Sequence, residues 1–84
     1  IAKIHVLAIP KNPVINFRDF VEKTDSTTVK YFFDKISEVT SQLGIDKTGY
    51  RLVTNDGTDS NQEVPHFHVH IIGGQNLGGL MAEK

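Results

Sequence analysis

Pro65-His66-Phe67-His68-Val69-His70-Ile71-Ile72 alternates imidazole and apolar side chains without a break. Side chains on a strand point to opposite faces in turn, so the stretch predicts a strand over 66–72. His66, His68 and His70 then share one face, while Phe67, Val69 and Ile71 share the other. Each neutral imidazole brings a donor and an acceptor that need partners when buried, so core formation alone does not select such a row. The apolar face, in contrast, needs a cover. Gly73-Gly74 is expected to end the strand.

Upstream, Tyr50 to Asn55 (YRLVTN) reads as a second strand, and the polar stretch DGTDSNQEVP joins it to the first, which suits an antiparallel pair. Between Thr24 and Gly44 the periodicity changes. Val29, Phe32, Phe33, Ile36, Val39, Thr40 and Leu43 form the stripe of an amphipathic helix. Asp25 or Ser26 is placed to cap it, and Gly44 to supply the positive φ that ends it. Further back, Ile1 to Pro10 (IAKIHVLAIP) is rich in β-branched residues and closes on a proline, so a third strand is expected there, with His5 inside it. The intervening Lys11 to Glu22 contains Asn12-Pro13 and Phe17-Arg18-Asp19-Phe20, which predict a turn and one helical turn. Leu77-Gly78-Gly79-Leu80 reads as flexible. The helix must bury its stripe against the strands, giving a single α+β domain over residues 1–84, an antiparallel sheet packed against one long helix.

Composition sets the outer limits. The chain has 84 residues, 38% hydrophobic and 23% charged, which excludes a disordered or collagenous class. No run is long and apolar enough for a membrane span. Domains of this size bury only roughly 60% of the surface their unfolded chains expose, so stability is expected to be marginal. There is no cysteine, which removes disulfides and thiolate metal sites and leaves a cytoplasmic location as the default. A formal net charge of −1 argues against DNA or RNA as partner. A mononucleotide remains open, since a few amides and polar groups can hold one phosphate. Ile1 opens directly into an apolar run, so an N-terminal segment is expected to precede it.

Three chemistries compete for the histidine row. The histidines can be solvent-facing or satisfied structural groups. Two of them can bind zinc, but the outer pair on an ideal strand stands about 13 Å apart, so all three do not converge on one ion. His5, Asp56 or Glu63 would have to complete such a site. The central histidine can also be a nucleophile, provided one ring nitrogen carries a proton held by an acceptor while the other attacks.

At these residues the chain resembles the histidine-triad (HIT) family. HFHVHII fits its signature, and IHVLAIPKNPV, YRLVTNDG, NQEVPHFHVHIIGG and NLGGLMA resemble its bacterial nucleoside phosphoramidases in the same order. The resemblance implies that His68 attacks the α-phosphorus of a nucleotide derivative, with His66 and His70 in the surrounding hydrogen-bond network and His5 joining that relay. It implies substrate contacts at Asn55, Gln62, Glu63 and Val64, through side chains or loop amides. No metal or other cofactor is required by that chemistry.

The activity so implied is hydrolysis of purine nucleoside phosphoramidates through a nucleotidyl-histidine intermediate. Dinucleoside polyphosphate hydrolysis, or a nucleotide-binding adaptor with little turnover, stands as the alternative. The resemblance also implies a HIT-like fold, a sheet continued across a two-fold homodimer, and an N-terminal segment that helps form the base and ribose pocket. The long helix, its stripe partly on view, is the expected interface element. Three departures from the family pattern stand out. Asn61 occupies a loop position that is usually glycine, Gln75 follows the two glycines where arginine is frequent, and Glu63 stands where the animal branch has serine. The Glu63 side chain is expected to be exposed, with its backbone amide mattering more.

Overall fold

The computed structural model describes residues 3–79. Strand β1 (Ile4–Ala8) is followed by helices α1 (Phe17–Lys23), α2 (Ser26–Gln42) and α3 (Ile45–Thr48), strand β2 (Tyr50–Val53) and strand β3 (Val69–Gly73). A 3-10 turn, Thr58–Ser60, lies in the loop between β2 and β3. The strands form one antiparallel sheet in the order β1-β3-β2, so the histidine-bearing strand is central.

Register assigns the two faces. Leu7, His70 and Val53 lie side by side, as do His5, Ile72 and Arg51. Neighbours across a ladder share a face, so these six residues form one side of the sheet. Val6, Ile71 and Leu52 lie on the other, with Ala8 beside Val69.

The second face is the one the helices cover. Phe20 of α1, Phe32 and Ile36 of α2 and Ile45 of α3 join Phe67, Val69 and Ile71 in the core, with Val14 at its margin. Phe20 is fully buried, stacked on Phe67 at 4.8 Å between ring centroids and edge-on to Phe32 at 5.2 Å. Thr40 is buried with its hydroxyl donating to the carbonyl of Ser37. The rest of the α2 stripe is only partly covered, and Phe33 and Leu43 are exposed.

Several boundaries differ from expectation. Continuous alternation of exposure runs from His66 to Gly73, as the sequence predicts, but ladder pairing begins only at Val69. The cause is a bend: the His66 N–H donates to the Val64 carbonyl, and the Phe67 N–H donates to Val14 rather than to a strand. At the other end Gly73 belongs to the strand, and Gly74, at φ +83°, is the residue that turns the chain. Strand β2 stops at Val53, and β1 covers only part of the expected run, whose first two residues lie outside the described range.

Two short helices accompany the long one. In α1 the Asn16 side chain accepts from the Asp19 N–H while Asp19 accepts from the Ile15 N–H, a reciprocal cap that sustains two turns. That Ile15 N–H, with Lys23 beside it, holds the Asp19 carboxyl below the usual carboxylate range. Gly44 has the expected positive φ, and Asp25 occupies the cap position of α2 without a side-chain cap bond. In the stretch expected to be flexible, Gly78 is held at both ends, its N–H by Asn76 and its carbonyl by Arg51. Leu80 lies outside the described residues.

Candidate active site

Because the helices take the Phe67, Val69 and Ile71 side of β3, the opposite side is left for the imidazoles. His68 is half-buried, and its Nδ1 lies 2.8 Å from the carbonyl oxygen of His66. A carbonyl only accepts, so Nδ1 carries the proton and Nε2 carries the lone pair. Among the described residues Nε2 of His68 meets no hydrogen-bond partner. One ring nitrogen is fixed and the other is free.

The structure brings three of the four histidines into ring contact. His70 packs edge-on to His68 with centroids 5.1 Å apart, and its Nδ1 lies 2.7 Å from Nε2 of His5. Burial first, then the like charges of His5 and His68, push the His70 imidazole below its ordinary 6.5. Protonating it would place a cation in a partly buried spot among other ionisable imidazoles. His66 meets His68 through its main-chain carbonyl rather than through its ring. Its Nε2 is buried with no partner among the described residues.

The other expected contacts lie around the β2–β3 loop. Asn55 is half-buried just beyond β2, two residues past Val53. Glu63 is exposed, as expected, and Val64 is 56% exposed. Neither of their backbone N–H groups donates to a described protein group. The Gln62 side chain is engaged inside the protein: Oε1 accepts from the Gly57 N–H at 2.9 Å, and Nε2 donates to the Val64 carbonyl at 3.2 Å and, across to the segment ahead of α1, to the Ile15 carbonyl at 2.8 Å. Asn61 takes the left-handed region at φ +59°, which asparagine tolerates better than most other side chains.

Thr54 joins the site without a mark in the sequence. Its hydroxyl donates to the carbonyl of His68 at 2.8 Å, tying the end of β2 to the residue at the centre of the site. A threonine near a strand end gives no local sign of that role.

Cavity size and chemistry part company here. Grooves of about 670 Å3 between β1 and α2, and about 720 Å3 beside α3 and the segment 74–78, contain none of the four histidines. The histidine face is open sheet, and we locate the chemistry by its functional groups. Among the described residues no three His, Asp or Glu side chains converge as metal ligands, and no helix is long and apolar enough to cross a membrane.

A central strand that turns one face to the core and presents oriented imidazoles on the other defines a class of small α+β protein built around a histidine cluster. Comparison supplies the family. The HIT domain model matches residues 1–77, and the chain belongs to the HIT family. An uncharacterised HIT-like protein of Rickettsia prowazekii is 48% identical over 81 residues, covering 96% of this chain and 68% of that protein. The purine nucleoside phosphoramidase of Escherichia coli K12 is 32% identical over 83 residues, covering 99% of this chain and 69% of that one. Among solved structures, a histidine triad protein from Clostridium difficile superposes with a TM-score of 0.83 at 32% identity, over 94% of this chain and 68% of the other. A HIT family hydrolase from Legionella pneumophila gives 0.82 at 32% identity, over 92% and 68%. The chain thus spans about two thirds of the length of these relatives, and its fold is theirs.

Proposed function

We propose that the protein hydrolyses purine nucleoside phosphoramidates at the α-phosphorus, with His68 as nucleophile. The observation that carries this reading is the bond from His68 Nδ1 to the His66 carbonyl, which leaves Nε2 unprotonated and unpartnered. Nε2 attacks phosphorus, the P–N bond to the amine breaks, and the departing amine takes up a proton. Water then cleaves the nucleotidyl-histidine, releasing the nucleoside monophosphate. As the intermediate forms, positive charge spreads over the ring, and the His66 carbonyl stabilises it through the Nδ1 proton.

His70 sits beside the attacked phosphoryl group as a neutral imidazole, a state favoured by its lowered pKa, and His5 orients it: with the His5 Nε2–H donating to His70 Nδ1, the other nitrogen of His70 carries the proton that faces the phosphoryl oxygen. Asn55 and the free amides of Glu63 and Val64 are the groups we assign to phosphate oxygens, since amides held in place cost no reorganisation as charge develops. No step calls on a metal. The purine and the amine leaving group are taken from the Escherichia coli relative. We further propose that the protein works as a homodimer, and the absence of cysteine is in keeping with a cytoplasmic location.

The test is release of a fluorescent amine from an adenosine phosphoramidate, with and without excess chelator, by the protein and by His68→Ala. Chelator-resistant turnover that falls by at least about 1,000-fold in the variant is expected for loss of a nucleophile. Turnover of dinucleoside polyphosphates alone would reassign the substrate. Tight nucleotide binding without turnover would make the protein an adaptor, and loss of activity on chelation alone would favour a metal site.

A further inference from the structure

The side-chain amide of Gln62 is fully occupied inside the protein. A primary amide offers two N–H donors and one carbonyl, and here both types of group are used, toward Gly57, Ile15 and Val64. The contacts do not stop there. The Val64 carbonyl that Gln62 reaches also accepts from the His66 N–H at 2.8 Å. The carbonyl of His66, in turn, accepts from His68 Nδ1 at 2.8 Å. A series of hydrogen bonds, joined through the backbone of the single residue His66, therefore runs from Gln62 to the free imidazole.

The anchor at the far end strengthens the point. Ile15, which receives the Gln62 donor, adjoins Val14, whose carbonyl receives the Phe67 N–H at 2.8 Å. Both ends of the bend over 62–67 are thus pinned to the same two-residue piece of chain ahead of α1. Between the pins lie the Val64 and His66 carbonyls. The Gln62 N–H closes the loop from the inside by donating to Gly57 at 3.1 Å.

We propose that Gln62 is a positioning residue, which sets the tautomer and aim of His68 by fixing the 64–66 bend and does so without touching the substrate. Its two donations hold the Val64 carbonyl and the Ile15 anchor; the bend they hold directs the His66 carbonyl at Nδ1. Without them the bend is held from the Phe67–Val14 side alone, the His66 carbonyl tilts away from its line to Nδ1, and the proton on His68 is no longer confined to Nδ1. The kinetic consequence rests on His68 being the nucleophile, but the structural one does not.

The experiment compares the wild type with Gln62→Glu, which keeps an oxygen for Gly57 and removes both donations. The ligand-free protein is measured first, with the His68 tautomer read from the nitrogen-15 shifts of its ring. The wild type is expected to hold the Nδ1–H form and the variant to show a mixture of the two forms. In the phosphoramidate assay kcat is expected to fall about tenfold, with KM within about threefold, because a group that makes no substrate contact leaves binding alone. An unchanged His68 tautomer in the variant would overturn the proposal, as would a rise in KM at constant kcat. If Gln62→Glu does not fold, Gln62→Met, which keeps the side-chain length and removes every side-chain hydrogen bond, is judged by the same readouts. A wild type without turnover would sink the functional reading alone, since the tautomer comparison decides the role of Gln62 by itself.

Discussion

The His70 imidazole shows how a single residue reports its surroundings. Its pKa is lowered by burial first and by His5 and His68 second. Unfolded, it titrates at its ordinary value near 6.5; folded, it holds out to lower pH. The stability that this difference contributes is therefore complete above the unfolded value and is lost as pH falls through the folded one. The urea midpoint should decline as pH is lowered below that ordinary value, and proton NMR should place the His70 transition under 6.5. A His70 that titrates above it would refute the assignment. At this scale the sequence was informative where chemistry is local and silent where it is not. Three alternating histidines announce a shared face, and the exposure of Glu63 follows from charge. The orphaned Nε2 of His66 and the Thr54 hydroxyl on the His68 carbonyl depend on partners brought in by the fold.

Among the elements, α2 was the most legible, because seventeen residues of periodic pattern average out individual exceptions. The exceptions have a physical cause. Phe33 and Leu43 belong to the stripe by spacing, yet among the described residues the sheet beneath is three strands wide and leaves them exposed. For α1 the run Phe17 to Phe20 predicts a single turn, although Asn16 and Asp19 have the spacing of a reciprocal cap that lengthens it. The shortened ladder of β3 was not legible at all, since it depends on Val14 meeting Phe67 from far along the chain. Helix α1 nevertheless secures the layer, because Phe20 is the side chain on which Phe32 and Phe67 both rest. Phe20→Ala should cost about 3–5 kcal/mol, measured by urea denaturation, from lost transfer energy and the cavity left behind. Since small domains have little more than that in hand, the variant is expected to be largely unfolded at 25 °C. A loss below about 1 kcal/mol would mean that the site collapses around the gap.

For the molecule as a whole, the described sheet has two open edges, β1 and β2. Tyr50 and Leu52 of β2 are each 43% exposed, and Leu43 at the end of α2 is 41% exposed. An unpaired strand flanked by apolar side chains is a ready site for another strand. These features support the homodimer proposed above, in which the sheet continues from β2 into its two-fold mate. Sedimentation at micromolar concentration should give a dimer, and Leu52→Lys should shift it toward monomer; a wild-type monomer under those conditions would exclude this arrangement. The alternation along β3 has a consequence of another kind. Odd positions from Phe67 to Ile71 serve packing and even positions serve the imidazole cluster. A point substitution on that strand injures one of the two. Losing or gaining a single residue there reverses the parity of everything beyond it, turning imidazoles inward and the core outward together. Substitutions can therefore accumulate along this strand one role at a time, whereas its length is held by both roles at once.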